Sequence, residues 1–363
     1  MREIRVLVVD DSAFLRRNLP RILESDPTLK VVGTAANGAE AIQKIKELRP
    51  DVVTLDVLMP VMDGLTALKH IMRETPTPVI MVSSVTREGA QETLEAPALG
   101  AIDFVAKPSG PVSLDIEKVR GELVKKIKIA YTTKIKVAAS VDVTRSKFRA
   151  IVEELSKSRA QPVVTARPEP GAPGGKRLVA IAASTGGPAA LQLVLGRLPQ
   201  DLNAGIVIVQ HIAAGFTRPL AERLNSLSQI NVREAEDGAP VTPGVALISP
   251  AQVHITTARK GNRLVVRLSP EPANTIHRPS ANVLFHSIAG CCAAETCAVI
   301  LTGMGDDGAL GMRSIHEGSG WTVAQDEASS VIYGMPRKAV ELGGVAVSLS
   351  LDRIPAEIVR ATA

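Results

Sequence analysis

Short, nearly continuous apolar runs rich in β-branched residues alternate with helical patterns along both halves of the chain. IRVLVVD at residues 4–10 and LVAIAAS at residues 178–184 are two such runs, and a helix-like segment follows each. This alternation is typical of parallel sheets covered by helices on both faces, because each parallel crossover uses a helix and buries the strand. The sequence therefore predicts an α/β fold with two doubly wound parallel-sheet domains.

A segment with little apolar periodicity separates the two halves of the 363-residue chain. Its most irregular part, QPVVTARPEPGAPGGK at residues 161–176, collects Pro, Gly and polar residues, which favour extended backbone. At about 100–200 residues per domain, the length indicates two domains. We predict a first domain over residues 1–125, a flexible basic linker over residues 126–176 and a second domain over residues 177–360.

Positive charge is concentrated around this linker. The stretch from Lys118 to Arg177 has 15 Lys and Arg residues against 5 Asp and Glu, whereas the whole chain has a formal net charge of +5. A basic segment attracts nucleic acid or an acidic surface, but this one lacks interleaved aromatic residues and any helix-turn-helix or finger pattern. We therefore expect a solvated connector and no nucleic-acid partner.

Other features limit the classes of protein that fit. No apolar run approaches the ~18 residues of a membrane span, and the first residues lead directly into a strand-like run. Cys291, Cys292 and Cys297 show no CxxC spacing, which predicts buried apolar side chains and no zinc site. Heptad repeats are absent as well. These features predict a cytoplasmic protein without membrane insertion, and we expect a monomer.

Polar residues follow four of the apolar runs in the first half. Asp10 and Asp11 follow IRVLVV, Asp56 ends VVTLD, and Ser83 and Lys107 end PVIMVS and IDFVAK. Because the carboxyl ends of neighbouring parallel strands converge on one crevice, we expect these side chains to share a site. Crowded carboxylates repel one another unless a cation lies among them, and carboxylate oxygens suit Mg²⁺. The pattern predicts that Asp56 accepts a phosphoryl group, while Lys107 and Mg²⁺ balance the charge.

With the turn MPVMDG at residues 59–64 and the Lys-Pro pair at residues 107–108, these motifs make residues 1–125 resemble a response-regulator receiver domain. The resemblance implies that Asp56 is the phosphoacceptor and that a histidine kinase is the phosphodonor. It also implies a set of Mg²⁺ ligands: Asp10, Asp11, Asp56 and the backbone carbonyl of Leu58.

The same resemblance implies three switch residues. Ser83 is the hydroxyl that follows the phosphoryl group, Phe104 is the aromatic residue whose rotamer reports the state, and Lys107 pairs with the phosphoryl group. Ser84 is adjacent to Ser83, so the choice between the two serines stays open at this stage.

In the second half, Ser184 stands between a strand-like run and a helical pattern. RLVAIAAS ends on this serine, and the turn TGGP at residues 185–188 leads into the helix-like PAALQLVLGRLP. Three interpretations fit: an ordinary helix N-cap, part of a glycine-rich phosphate loop, or a nucleophile exposed beside helix N-terminal amides. The turn alone does not decide among them.

Two further strand ends favour the nucleophile. AGIVIVQH ends on His211, and CAVIL leads into the turn TGMGDDG, which contains Asp306 and Asp307. A serine hydroxyl needs a base to take its proton and an acid to orient that base, and strand ends meeting at one edge supply all three. We also expect a backbone N–H near Met304 to stabilise a tetrahedral oxyanion.

The histidines other than His211 fall into two groups. His277, in the polar segment HRPSANVLF, is expected to line the site. Structural or surface roles are predicted for four others: His70, His254, His286 and His316.

Five motifs in order complete the pattern: AASTGGP, VQHI followed by GFT, HRPS, LTGMGDDGALGM and AQDEASSVIYGMP. Together they resemble the catalytic domain of the chemotaxis protein-glutamate methylesterases, the CheB family, and the receiver-like half completes that architecture. The resemblance implies a Rossmann-like methylesterase domain in which Ser184 is the nucleophile, His211 the general base and Asp307 the orienting acid. It implies that three residues surround the substrate or the oxyanion: Thr185, His277 and Met304.

The expected activity is phosphorylation-activated hydrolysis of glutamate γ-methyl esters on chemoreceptors, with release of methanol and deamidation of glutamines, giving adaptation in bacterial chemotaxis. Acyl transfer needs no cofactor in the second domain, so Mg²⁺ is expected in the receiver alone. The expected partners are methyl-accepting chemoreceptors as substrate and a chemotaxis histidine kinase as phosphodonor. The competing hypothesis is a non-enzymatic response regulator whose linker and glycine-rich domain bind nucleic acid or a nucleotide.

Overall fold

The computed structural model describes residues 3–84, 86–107, 114–139 and 175–363, and at a few helix positions only the backbone. The described residues separate into two compact units, 3–139 and 175–363. None of the described helices is long and apolar enough to cross a membrane.

The first unit has one five-stranded sheet in the order β2-β1-β3-β4-β5, and all of its strand pairs are parallel. Its strands are β1 (Ile4–Val9), β2 (Leu29–Ala35), β3 (Val52–Asp56), β4 (Val79–Ser83) and β5 (Asp103–Ala106). Its helices are α1 (Ala13–Leu23), α2 (Gly38–Leu48), α3 (Gly64–Glu74), α4 (Arg87–Thr93), a 3₁₀ helix (Ala96–Leu99) and α5 (Leu114–Ala139). Both β3 and β4 are buried along their whole length, as expected for central strands covered on both faces.

Helix α5 continues past the predicted end of the first domain. It runs to Ala139, and Ile127 and Ala130 lie in the same apolar core as Leu123 and strands β1 and β4. The three residues follow i, i+4, i+7 spacing and therefore share one face of the helix. The first unit thus extends beyond residue 125, because this apolar face continues into the basic segment. The rest of the predicted linker, residues 140–174, lies outside the described residues.

The second unit has a seven-stranded parallel sheet in the order β14-β13-β12-β6-β7-β9-β8, beside the antiparallel hairpin β10-β11. Its strands are β6 (Leu178–Ala183), β7 (Gly205–Gln210), β8 (Asn231–Glu234), β9 (Val245–Ile248), β10 (His254–Lys260), β11 (Arg263–Ser269), β12 (Thr296–Ile300), β13 (Trp321–Gln325) and β14 (Val347–Leu349). Its helices are α6 (Gly187–Gly196), α7 (Thr217–Leu227), α8 (Ala281–Cys291), a 3₁₀ helix (Ala293–Glu295), α9 (Ala309–Glu317), α10 (Met335–Glu341) and α11 (Ile354–Thr362). The two sheets confirm the predicted fold class.

Strand order fixes where each sheet opens a crevice. In the first sheet the chain proceeds from β1 outward to β2 on one side and to β3 on the other, and in the second it proceeds from β6 to β7 on one side and later to β12 on the other. Ligands of open α/β sheets bind outside the carboxyl ends of the strands at such a switch point. The residues that follow β1 and β3, and those that follow β6, β7 and β12, therefore hold the two candidate sites.

Candidate functional site

Ser184 lies directly after β6, at the switch point of the second sheet. Its backbone N–H donates to the carbonyl of Thr302, which follows β12, over 3.0 Å. The N-cap of α6 is Gly186, at φ 78° and without a side-chain cap, so Ser184 does not cap this helix. The N-cap interpretation of Ser184 was wrong, since the turn inserts two residues between the serine and the first helical turn.

Gln210, the last residue of β7, holds the backbone around Ser184. Its side-chain amide donates to the carbonyls of Ser184 (3.0 Å) and His211 (2.9 Å). The Gln210 amide also explains Gly187, because a Cβ at that position would lie 2.0 Å from the Gln210 Oε1. The second glycine of the turn is thus needed for close packing against β7, a role that requires no phosphate ligand.

His211 lies beside Ser184 across the sheet. Its N–H donates to the carbonyl of Ala183 (3.0 Å), and its Nε2 lies 2.8 Å from the Asp307 Oδ2. The other ring nitrogen, Nδ1, is buried and has no hydrogen-bond partner among the described residues. The His277 ring stacks on the His211 ring, with centroids 4.1 Å apart and planes inclined by 14°. Because a carboxylate accepts hydrogen bonds, Nε2 carries the proton and Nδ1 presents a lone pair.

Asp307 is buried and accepts hydrogen bonds from four donors. Apart from His211, these are the Ser280 hydroxyl at 2.7 Å and the backbone N–H groups of Ala281 at 2.6 Å and Asn282 at 3.0 Å. Burial by itself raises the pKa of this carboxyl, but the hydrogen bond and charge of His211 and the bonds from Asn282 and Ser280 outweigh it. The net pKa lies well below the usual range, so Asp307 is ionised at neutral pH.

The turn after β12 packs directly against Ser184. A Cβ at Gly303 would lie 2.8 Å from the Cβ of Ser184 and closer still to the sulfur of Met335, which explains the glycine. Met304 is half-buried in this turn, Thr185 is buried on the facing turn, and Asp306 is exposed. Of the two adjacent aspartates, Asp307 is the one that contacts His211.

Three residues of this site were not anticipated: Gln210, Ser280 and His254. Ser280 caps α8 by accepting from the N–H of Val283, and its own N–H donates to the Nδ1 of His254 over 3.1 Å. A serine followed by an apolar helical run is an N-cap signature, so Ser280 was recognisable as a cap. The remaining predicted non-site histidines lie elsewhere, with His70 half-buried and His286 and His316 exposed.

In the first unit, three carboxylates meet at the switch point. Asp10, Asp11 and Asp56 each offer a ligand oxygen, and these oxygens lie within 4.8 Å of one another. The Lys107 ammonium lies 2.9 Å from the Asp10 Oδ2 and 2.7 Å from the Asp56 Oδ2. Lys107 thus contacts two of the three carboxylates, and the Arg16 guanidinium donates to the backbone carbonyls of Asp10 and Asp11.

The protonation of Asp56 reflects these surroundings. Burial raises the pKa of its carboxyl most, Lys107 lowers it, and the negative charges of Asp10 and Asp11 raise it again, to about 6 overall. A divalent cation relieves such repulsion, and oxygen-only ligands are those that Mg²⁺ prefers. The cluster thus has the composition typical of the Mg²⁺ site of a receiver domain.

The other residues predicted around this cluster have distinct surroundings. Ser83 ends β4 fully buried, and its hydroxyl has the carbonyls of Gly89 (3.1 Å) and Ser84 (3.2 Å) as acceptors. Phe104 is buried in β5, and its carbonyl accepts from the Lys126 ammonium (2.6 Å). Leu58 lies exposed in the turn after Asp56.

Gly64 explains the end of the turn that follows Asp56. A Cβ at Gly64 would lie 2.0 Å from the carbonyl oxygen of Asp56, so only glycine lets α3 begin this close to β3. Asp63 caps α3 by accepting from the N–H of Thr66 over 2.8 Å. The Asp-Gly pair therefore fixes the backbone that carries Asp56.

The parallel α/β sheet and its acidic cluster define the first unit as a receiver domain, and the chain as a response regulator with a second α/β output domain. Residues 6–117 match the family described as "Response regulator receiver domain", and residues 179–358 match the family described as "CheB methylesterase". A solved "CheB methylesterase catalytic domain" from Thermotoga maritima is 35% identical, with a TM-score of 0.50, and covers 51% of this chain and 98% of its own.

Two relatives align over nearly the whole chain, and both are described as "Protein-glutamate methylesterase/protein-glutamine glutaminase". The protein of Halalkalibacterium halodurans is 48% identical over 98% of each chain. That of Geobacillus kaustophilus is 46% identical over 99% of each chain. The chain therefore belongs to the CheB family of protein-glutamate methylesterases with an N-terminal receiver domain.

Proposed function

We propose that this protein hydrolyses glutamate γ-methyl esters on methyl-accepting chemoreceptors and deamidates receptor glutamines, in the adaptation branch of bacterial chemotaxis. The proposal rests chiefly on one observation: His211 is bonded to Asp307 through Nε2, while its buried Nδ1 has no hydrogen-bond partner among the described residues. The full-length relatives, which are described as protein-glutamate methylesterases and protein-glutamine glutaminases, supply the substrate class. The proposed place of action is the cytoplasm.

In the proposed first step, the Ser184 hydroxyl attacks the γ-carbonyl carbon of the methylated glutamate. His211 takes the hydroxyl proton on Nδ1 and becomes an imidazolium, whose charge the ionised Asp307 stabilises through Nε2. The tetrahedral intermediate then expels methanol, which leaves with the proton held by Nδ1. The product is a glutamyl ester of Ser184.

In the second step, water attacks that ester and gives its proton to the Nδ1 of His211. The bond between the acyl carbon and Ser184 breaks, the proton passes to the serine oxygen, and a free glutamate remains on the receptor. For a glutamine substrate the leaving group is ammonia, and the other steps are the same. Because acyl transfer uses only the hydroxyl, the imidazole and the carboxylate, no cofactor takes part in it.

Three residues complete the proposed site. The backbone N–H at Met304 is the proposed oxyanion donor, since it lies in the turn that packs on Ser184. The His277 ring covers one face of His211 and thereby restricts its rotation and its exposure to water. Thr185, on the facing turn, is the proposed contact to the substrate.

In the first unit, Asp56 is the proposed phosphoacceptor, with a phosphohistidine of a chemotaxis histidine kinase as donor. A carboxylate oxygen of Asp56 bonds to phosphorus as the phosphorus–nitrogen bond breaks, and the leaving imidazole takes up a proton. Mg²⁺, held by Asp10, Asp11, Asp56 and the carbonyl of Leu58, neutralises negative charge on the phosphoryl oxygens when bound. Lys107 balances the charge on the acyl phosphate.

The remaining switch residues and the domain limits are part of the same proposal. Ser83 is the hydroxyl that turns from the Gly89 carbonyl to the phosphoryl group, and Phe104 is the residue whose rotamer follows it. A basic connector, predicted over residues 126–176 and entered by α5 as far as Ala139, joins the receiver to a catalytic domain over residues 177–360.

The test is methanol release from methylated chemoreceptor membranes by the full-length protein, with and without acetyl phosphate and Mg²⁺. We expect release to rise with the phosphodonor and to fall by at least about 10³-fold in Ser184→Ala. Ser226→Ala is the matched control, because Ser226 is exposed on α7 and its hydroxyl donates only to the Arg223 carbonyl among the described residues. Full output from Ser184→Ala would instead favour the non-enzymatic response regulator.

A further inference from the structure

His254 is the first residue of β10 and has no exposed surface. Its Nδ1 accepts the backbone N–H of Ser280 over 3.1 Å, and its Nε2 lies 3.1 Å from the carbonyl of Pro272 and 3.1 Å from the hydroxyl of Thr275. A backbone N–H can only donate and a carbonyl can only accept. The surroundings therefore fix one form of this ring, neutral with its proton on Nε2.

Ser280 links His254 to the buried acid. Its hydroxyl donates to the Asp307 Oδ1, and the next two residues along the chain, Ala281 and Asn282, donate their backbone N–H groups to the same carboxylate. Three of the four donors to Asp307 thus come from the segment 280–282, and His254 accepts the first N–H of that segment. The position of the acid relative to His211 depends on where this segment lies.

We infer that His254 is a positioning residue of the esterase site: its neutral ring holds the N-terminus of α8, and this segment holds Asp307 against His211. The inference rests on the proposed function. It does not make Ser280, His254 and Asp307 a second nucleophilic set. The Ser280 hydroxyl is buried and donates its hydrogen bond to Asp307, and His254 accepts the backbone N–H of Ser280, not its hydroxyl.

Protonation of His254 opposes this arrangement, because a proton on Nδ1 would face the N–H of Ser280. The charged groups that act on the ring are Glu271 and Arg278, on the loop between β11 and α8, and Asp307 after β12. Burial lowers the pKa of His254 most, and the charge of Arg278 lowers it further. The Pro272 carbonyl and the charges of Asp307 and Glu271 act in the opposite direction, and the net pKa is lowered. The ring is thus neutral at neutral pH, and its hold on Ser280 is lost only in acid.

Two substitutions of His254 distinguish the effect of its hydrogen bond to Ser280 from the effect of its side-chain volume. In His254→Asn the side-chain oxygen occupies roughly the place of Nδ1 and can accept the Ser280 N–H, whereas in His254→Leu that N–H loses its partner. We expect His254→Leu to lower kcat about 10–100-fold with KM changed by less than about three-fold, and His254→Asn to recover most of the loss. His286→Asn is the matched control, because His286 is exposed on the same helix; its kcat should stay within about two-fold.

The pH profile gives the readout that a purely structural role would not change. Protonation of His254 should add a limited fall in kcat/KM on the acid side of the wild-type profile, of about the same 10–100-fold size as the loss in His254→Leu. In His254→Asn this step should be absent. An unchanged acid limb, or a His254→Asn variant as impaired as His254→Leu, would overturn the inference.

Nitrogen-15 NMR of histidine-labelled full-length protein tests the tautomer without any substrate. We expect the His254 Nδ1 to have the shift of an unprotonated nitrogen and Nε2 that of a protonated one at pH 7, while His286 shows ordinary fast exchange. A proton on Nδ1 at pH 7 contradicts the inference whatever the substrate is. Failure of the proposed function would appear separately, as activity that survives Ser184→Ala.

Discussion

The two switch points hold carboxylates in opposite electrostatic surroundings. Asp307 in the second unit accepts four hydrogen bonds, and the pKa of its carboxyl is well below the ordinary range. Asp56 in the first unit shares Lys107 with Asp10 and lies close to Asp11, and its pKa is raised to about 6. The carboxyl edge of the same type of sheet thus supports two kinds of chemistry.

Asp307 is therefore a preorganised acid, whereas the site around Asp56 is one whose energy depends on a bound cation. Fixed donors around Asp307 keep it ionised and aligned through a reaction in which His211 gains and loses a proton. At Asp56 the repulsion is left in place, so a cation and then a phosphoryl group change the energy of the site strongly when they bind. Catalysis favours the first arrangement and switching favours the second.

The largest expected effect comes from Asp307→Asn. An amide in this place keeps the volume but removes the charge that stabilises the His211 imidazolium, and its NH₂ group disfavours the required tautomer. We expect kcat for methanol release to fall about 10³–10⁴-fold with little change in KM. Steady-state kinetics on methylated receptor membranes measure this.

Asp306→Asn is the control for that substitution, since the neighbouring aspartate is exposed. Its kcat should stay within about two-fold of the wild type. Equal losses in the two variants would mean that the turn, and not the buried charge, accounts for the effect, and the contrast with Asp56 would then lose its basis.

Removal of divalent metal should abolish activation through the receiver and leave the basal esterase activity of the second unit unchanged. With a chelator present, we expect the phosphodonor to lose its activating effect, which corresponds to about 5–150-fold at a coupling of about 1–3 kcal/mol. Methanol release in the absence of phosphodonor should stay within about two-fold, because the esterase steps involve no metal. A fall of this basal release in chelator, restored by Mg²⁺, would place a metal requirement in the second unit.

The fold and the strand-end residues could be predicted because they follow local rules. Buried parallel strands appear as apolar runs, and the topology brings their carboxyl ends together, so Asp10, Asp56, Ser184 and His211 could be assigned to crevices before their contacts were known. The spacing of Leu123, Ile127 and Ala130 in the sequence also indicates that α5 continues past residue 125.

The support of Asp307 could not be predicted in the same way. His254, Ser280 and Asp307 come from a hairpin strand, a helix N-terminus and a turn, and only the three-dimensional arrangement brings them together. The bond between a ring nitrogen and a backbone N–H leaves no pattern in the sequence beyond the capping serine. The strand-end pattern therefore predicted candidate reacting residues, but it gave no signal for His254, which we infer positions Asp307.

The smallest expected effect is a difference in how the two units respond to pH. Because the pKa of Asp56 is about 6 when folded against an ordinary 3.8, the folded receiver binds more protons than the unfolded chain between these values. Its stability should therefore rise as the pH falls from 8 to 5. Asp307 has a lowered pKa, so its contribution to the second unit is present above the ordinary value of 3.8 and is lost only below it.

Asp56→Asn tests this directly, because the amide is neutral at every pH and Lys107 keeps its pair with Asp10. At pH 8 the variant receiver should be more stable than the wild type by about 1–3 kcal/mol. At pH 5 this difference should be about half as large, because Asp56 is then protonated in the folded receiver and still ionised in the unfolded chain. Hydrogen exchange of the full-length protein, followed in peptides from β3 and from β12 and corrected for intrinsic rates, measures each unit separately. At pH 8, protection in Asp56→Asn relative to the wild type should be higher in β3 and unchanged in β12. An equal increase in both strands would show that the charge at Asp56 is not the cause. No increase in β3 would mean that Lys107 already compensates the cluster.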